Sequence, residues 1–193
     1  MKHIVVFCGS SGGTDKDILL AAYELGAILA QKGIGLVYGA ARIGVMGEVA
    51  RGVLEHHGEV IGVIPDFLMR KEVWHDGLSR LIITRNMHER KLKMHELSDA
   101  VITLPGGFGT LEELFEMITW AQLGLHEKPI GILNTSGYYD DLLRMLQKMV
   151  TLNFLKRENF EMLLVDKDIE KLLLKMTSYQ PPMMPKWIQK DQL

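Results

Sequence analysis

Short apolar runs alternate with amphipathic stretches from one end of the chain to the other. Ile4 to Phe7, Gly35 to Tyr38, Val60 to Ile64, Leu81 to Thr84, Ala100 to Leu104 and Ile130 to Leu133 each predict a strand. Runs such as IleValValPhe lack an alternating polar face, as expected for strands covered on both sides. Between them, apolar residues recur three to four positions apart near 15–31, 45–57, 87–97, 110–124 and 138–150, which predicts helices with one buried stripe. A strand near 161–165 and a helix near 167–176 close the series. Alternation of this kind builds an α/β fold with a mainly parallel sheet and helices on both faces. One catalytic domain over 1–177 accounts for the pattern, and no internal repeat interrupts it. The tail, 178–193, carries Pro181, Pro182 and Pro185 and is expected to be extended or disordered.

Composition narrows the function classes. A chain of 193 residues that is 47% hydrophobic and 24% charged is long enough to bury a sizeable core, as globular enzymes do. A formal net charge of −2 offers no electrostatic case for a nucleic-acid partner. The single cysteine, Cys8, allows no intrachain disulfide and fits a reducing, cytoplasmic setting. The N-terminal apolar run is too short for a signal peptide, and no run approaches the length of a membrane span. The seven histidines form no metal-ligand pattern with Cys or Asp, so no metal site is expected.

Three glycine-rich turns fall where strands give way to helices: Gly9 to Gly13, Gly39 to Gly47 and Gly106 to Gly109. In an open parallel sheet, ligands bind beyond the carboxyl ends of the strands, where the strand order reverses. None of the turns is a Walker A loop, and none is a clean GxGxxG after the first strand, which disfavours a dinucleotide redox cofactor. The third turn, ProGlyGlyPheGlyThrLeuGluGlu at 105–113, joins a strand to a helix start. There, bare amides and the helix dipole offer an anion site. Ser10 and Ser11 are candidate hydrogen-bond donors to a phosphate or sugar.

The charged candidates each carry a second reading. Thr110-Leu-Glu-Glu113 matches a capping box, in which Thr110 caps the helix and Glu113 reaches back to its amide. Glu113 is also a candidate catalytic carboxylate. Glu112 beside it reads as a first-turn acid suited to the dipole, and that placement lowers a carboxylate pKa. Asn86 predicts an N-cap for a helix carrying Arg90 and Lys91, with Arg90 on the same side as Met87, Met94 and Leu97. An arginine bordering a buried stripe calls for an anionic partner; a solvated basic face is the plainer reading. Cys8 reads as inert packing. Glu72 sits in a polar loop, 66–76, long enough to be a lid. Trp74 and Trp120 are core aromatics or stacking surfaces.

MetHisGluArgLys at 87–91 followed by ProGlyGlyPheGlyThrLeuGluGlu at 105–113 resembles the LOG (Lonely Guy) family of cytokinin riboside 5′-monophosphate phosphoribohydrolases, long mislabelled as lysine decarboxylases. The likeness runs over roughly 2–175 and includes PheCysGlySerSer, GlyLeuValTyrGly at 35–39 and IleThrTrpAlaGlnLeuGlyLeuHisGluLysPro at 118–129. It implies a Rossmann-like three-layer homodimer that splits the N-glycosidic bond of a nucleoside 5′-monophosphate, a cytokinin riboside monophosphate or AMP. The products are free base and ribose 5-phosphate, and no metal or organic cofactor is needed. By motif, it assigns Arg90 and Glu113 as catalytic. It implies substrate contacts at Glu72, Lys91, Gly106, Gly107, Phe108, Gly109, Thr110, Leu111, Glu112 and Thr119, beside Gly9 and Ser10 of the first turn. One departure is visible. Ala40 and Ala41 stand where the family usually has glycines, which is expected to narrow or reshape the base pocket. The alternatives are a non-catalytic nucleotide or cofactor carrier on the same fold and, from the old label only, a pyridoxal phosphate decarboxylase, for which no Schiff-base lysine is marked.

Overall fold

The computed structural model describes residues 1–69 and 74–182. Seven strands form one sheet: β1 (His3–Phe7), β2 (Gly35–Tyr38), β3 (Val60–Pro65), β4 (Arg80–Thr84), β5 (Ala100–Thr103), β6 (Ile130–Leu133) and β7 (Leu163–Asp166). Every pairing is parallel, in the order β4-β3-β2-β1-β5-β6-β7. Among the described residues, eight α-helices connect and cover them, beside one 3-10 turn at Thr135–Gly137: α1 (Lys16–Gln31), α2 (Gly44–Glu55), α3 (Asp66–Met69), α4 (Met87–Leu97), α5 (Phe108–Gln122), α6 (Asp140–Thr151), α7 (Arg157–Phe160) and α8 (Ile169–Thr177). The expected strands and long helices are all present, with ends moved by a few residues. The single-turn helices α3 and α7 are too short to show a period and were not expected.

Successive strand residues serve opposite faces, as the pleat demands. Ile4 and Val6 join Leu36, Val60 and Ile102 in a core closed by α1, α2 and α8. Val5 and Phe7 join Val37, Ile61 and Val101 in a second core closed by α4, α5 and the start of α6. The inner strands are covered by these cores on both sides, which explains why they read as unbroken apolar runs.

From β1 the chain moves outward through β2, β3 and β4, then returns to lay β5 on the other side of β1. The order therefore reverses between β1 and β5. The turns after these two strands open a crevice there, with their backbones in contact: Gly9 donates its amide to the Pro105 carbonyl at 3.0 Å. The second glycine turn closes on the first, with the Met46 amide donating to the Gly9 carbonyl at 3.1 Å.

Candidate active site

The crevice holds a cleft of about 330 Å³ walled by α4 and α5. Nine of the residues anticipated from sequence line it: Gly9, Ser10, Arg90, Gly107, Phe108, Gly109, Thr110, Glu112 and Glu113. Cys8, Met46 and Met87 complete the wall. Sequence reading missed the two methionines as site residues. Their position beside Gly47 of the second glycine turn and Asn86 of the α4 cap was the available signal. Gly106 lies in an adjoining compartment of about 320 Å³ that shares Gly9, Ser10 and Gly107 with the first.

Asn86 caps α4 as expected, its side chain accepting from the Glu89 amide at 2.9 Å. Consecutive helical residues point about 100° apart, so Arg90 and Lys91 serve different partners. Arg90 is turned inward and buried. Its Nε donates to the Val63 carbonyl at 3.1 Å and its Nη2 to the Gly39 carbonyl at 3.2 Å. Gly39 directly follows β2, and Val63 lies within β3 one residue past the last β2–β3 pair, Tyr38 with Gly62, so both carbonyls stand where that ladder stops. Gly39 is required there, because a Cβ would occupy the space of the guanidinium. Lys91 is turned toward α5 instead, where its Nζ donates to Glu112 at 2.5 Å and to Glu116 at 2.8 Å. Burial alone would pull the Lys91 ammonium down, but the two carboxylates outweigh it and hold its pKa above the ordinary lysine value. Glu116 was not anticipated, although its i,i+4 spacing from Glu112 puts both on the face that meets α4.

The capping box is not formed. Helix α5 starts at Phe108 with Gly107 as its N-cap, and that cap uses no side chain. Thr110 is already inside the helix and buried against Gly106, whose missing Cβ makes room for the Thr110 hydroxyl. Glu112 and Glu113 consequently lie in the second turn, and no acid occupies the first. The first intrahelical bond runs from the Leu111 amide to the Gly107 carbonyl. The amides of Gly107, Phe108, Gly109 and Thr110 thus have no partner among the described residues, as the start of a helix requires.

Glu113 is 9% exposed and faces inward toward Arg90. Burial pushes its pKa up to about 7, Arg90 opposes the rise, and Glu112 adds to it. The expected depression by the helix N-terminus is overturned, because desolvation of a carboxylate one turn deeper exceeds the dipole's pull. Cys8, behind the same cleft, is also pushed up by burial and by the Glu113 carboxylate, which keeps it a protonated, inert thiol.

The remaining candidates lie elsewhere. Leu111 packs against the core beneath α5. Thr119 is exposed on α5, its hydroxyl donating to the Phe115 carbonyl at 2.7 Å. Glu72 falls outside the described residues. Trp120 stacks edge-on against His95 with centroids 5.3 Å apart, and Trp74 bridges Ala41. Neither lines the cleft. Ala40 and Ala41 are buried and do not line it either. Ala40 instead adopts φ 69°, the left-handed region that favours glycine.

Residues 46–176 match the family model described as possible lysine decarboxylase. The chain is 45% identical over 180 residues to a protein of Oryza sativa subsp. japonica named probable cytokinin riboside 5′-monophosphate phosphoribohydrolase, covering 93% of this chain and 79% of that one. It is 44% identical over 180 residues to an Arabidopsis thaliana protein named cytokinin riboside 5′-monophosphate phosphoribohydrolase, covering 93% and 84%. The chain belongs to the LOG family. Among solved structures, the molybdenum cofactor binding protein of Rippkaea orientalis superposes with a TM-score of 0.69 at 22% identity, covering 92% of this chain and 97% of that one. That likeness establishes the shared Rossmann-like three-layer fold. Membership of the LOG family rests on the sequence matches, which span the turns and both charged helices.

Proposed function

We propose that this LOG-family chain hydrolyses the N-glycosidic bond of nucleoside 5′-monophosphates, cytokinin riboside monophosphates or AMP, to free base and ribose 5-phosphate. The observation that carries the reading is the pairing, in one cleft, of a buried carboxylate backed by a guanidinium with four unpartnered amides at a helix N-terminus. The amides of Gly107 to Thr110 receive the 5′-phosphate, together with Ser10. Remote binding energy then positions the sugar over Glu113. As the bond from C1′ to the base nitrogen breaks, its electron pair leaves with the base and positive charge develops at C1′ and the ring oxygen. The ionised Glu113 stabilises that charge and takes a proton from the water that adds to C1′. The departing base nitrogen ends protonated, so the net reaction consumes one water. Arg90, anchored to two carbonyls, keeps part of Glu113 ionised at neutral pH. Lys91 orients Glu112 and Glu116 rather than touching substrate, and its position supports a role in holding α4 against α5.

The family's older description does not suit these residues. A Schiff-base lysine must give up its proton, and Lys91 is held charged by two carboxylates. Among the described residues, no lysine lines the cleft.

The protein acts as a homodimer in this proposal. Leu92 on α4, and Phe115 and Thr119 on α5, are exposed on the outer side of the two catalytic helices. A second copy packed there would cover apolar surface and bring Thr119 toward a neighbouring cleft. Phe115→Asp is expected to give a monomer by light scattering; an unaltered dimer would place the interface elsewhere.

The deciding experiment is chromatographic product analysis after incubation with AMP, an N6-isopentenyl adenosine monophosphate and the matching nucleosides. Base release from the monophosphates alone is the expected result. Tight nucleotide binding without release would instead support a carrier.

A further inference from the structure

Beyond the catalytic pair, the loop after β6 makes an unexplained approach to the glycine turn. Asn134 anchors this loop: its side chain accepts from the Tyr139 amide at 2.8 Å and donates to Asp140 at 2.7 Å. Ser136 and Gly137 then take left-handed conformations, φ 54° and φ 71°, an arrangement that costs strain at the serine. The result is two adjacent tyrosines, packed edge to face with centroids 4.9 Å apart, reaching across to the β5–α5 connection. Tyr139 donates its hydroxyl to the Leu104 carbonyl and Tyr138 donates to the Gly106 carbonyl, both at 2.7 Å.

The two bonds differ in kind. Tyr139 is 2% exposed, so its hydroxyl satisfies a dry carbonyl and serves the fold. Tyr138 is 50% exposed, and a carbonyl within reach of water gains little stability from a tyrosine partner. What the Tyr138 bond does is orient a peptide. Both residues of the Gly106–Gly107 peptide lack a side chain, so this plane has more freedom to rotate than any other in the turn. In a trans peptide the C=O and the following N–H point in opposite directions. Tyr138 stands in the adjoining compartment, not in the cleft that holds Glu113, while Gly107 borders both. Holding the Gly106 carbonyl toward Tyr138 therefore directs the Gly107 amide away from Tyr138, on the side where Gly107 borders the cleft.

We infer that Tyr138 is a positioning residue for phosphate recognition: its hydroxyl holds the Gly106–Gly107 peptide so that the Gly107 amide faces the 5′-phosphate of a bound nucleotide. The inference rests on the proposed anion site at the start of α5. It assigns to the β6–α6 loop a share in discriminating nucleoside monophosphates from nucleosides.

Calorimetric titration with AMP and with adenosine tests it, in a Glu113→Gln background so that turnover is slow on the timescale of the titration. The background protein is expected to bind AMP more tightly than adenosine. Adding Tyr138→Phe is expected to weaken AMP binding about five- to tenfold, less than the full worth of an amide directed at a charged group because the freed peptide still visits the binding orientation. Adenosine affinity should stay the same and the melting temperature should fall by no more than about 2 °C. Tyr139→Phe should do the reverse, lowering the melting temperature while keeping the AMP preference. An AMP preference untouched by Tyr138→Phe, or an equal loss for both ligands, overturns the inference. A background protein that binds AMP no better than adenosine removes the anion site itself, and that result is distinct because it precedes any change at Tyr138.

Discussion

The two faces of the sheet solve different problems. On one face, α1 and α2 meet through glycines: a Cβ on Gly26 would strike the backbone of Val49 and Val53, and one on Gly52 would strike Tyr23 and Ala27. Close backbone contact leaves little room for side chains, and the surrounding cluster is aliphatic apart from Tyr38 and Cys8. On the other face, α4 and α5 bring Arg90, Lys91 and Glu113 into partly or wholly dry surroundings. Burying a carboxylate until its pKa reaches about 7 is destabilising at neutral pH. The difference teaches where each face spends its sequence: one helix pair makes the fold secure, and the other holds charge in a state that water would not permit.

Glu113→Gln gives the sharpest test of that contrast, because it should damage activity and improve stability together. Turnover is expected to fall by about 10²–10⁴-fold in a product assay. The sign of the stability change follows from the raised pKa. Below the ordinary value of 4.5 the carboxyl is neutral in both folded and unfolded chains. Between 4.5 and about 7 the unfolded chain loses its proton first, so wild-type stability falls as pH rises. Thermal melts should therefore show the variant gaining on wild type across that range, by up to ~3 kcal/mol at pH 8; a variant that is less stable than wild type at pH 8 contradicts the burial argument.

Gly26→Val attacks the opposite face and should destabilise by about 3 kcal/mol in urea unfolding, while protein that remains folded keeps its activity. Loss of turnover in the folded fraction would mean that the α1–α2 face also shapes the cleft. Next in size, kcat/KM should rise with pH along a limb centred near pH 7, the ionisation of Glu113. A limb near 4.5 would assign the reaction to an exposed carboxylate instead. Lys91→Met should cost about 1–2 kcal/mol, leaving Glu112 and Glu116 without their shared cation; an unchanged melting temperature would show that the pairing is incidental. The smallest effect is expected at Ala40→Gly. Relief of the left-handed strain, about 1 kcal/mol, is offset by the lost burial of a methyl group, about 0.8 kcal/mol. A shift of many degrees in either direction would show that one of the two contributions dominates.

Much of this architecture was legible in the residues. Apolar runs marked the five inner strands because strands buried on both faces have no polar alternation to confuse with helix, and the half-exposed edge strands β4 and β7 were still apolar enough to be read. Asn86 was readable as a cap because its side chain needs only the amide three residues on. The start of α5 was misread for a related reason: Thr110 and Glu113 satisfy a local capping rule, yet burial of Thr110 against Gly106 moves the helix start back to Gly107. A local motif lost to packing between two turns that lie far apart in sequence. The two acidic partners of Lys91 come from the neighbouring helix, and no spacing within α4 announces them.

The chain by itself determined which segments become strands and helices, that three glycine turns gather at one sheet edge, and which family the protein belongs to. These follow from side-chain periodicity, backbone freedom and the order of residues, all carried along the chain. Only the tertiary structure decided that Glu113 is buried and near-neutral in its pKa, that Arg90 hangs from the carbonyls of Gly39 and Val63, and that Tyr138 meets the Gly106 carbonyl. Each depends on groups tens of residues apart, because desolvation and hydrogen-bond direction belong to the space around a residue and not to its neighbours in sequence.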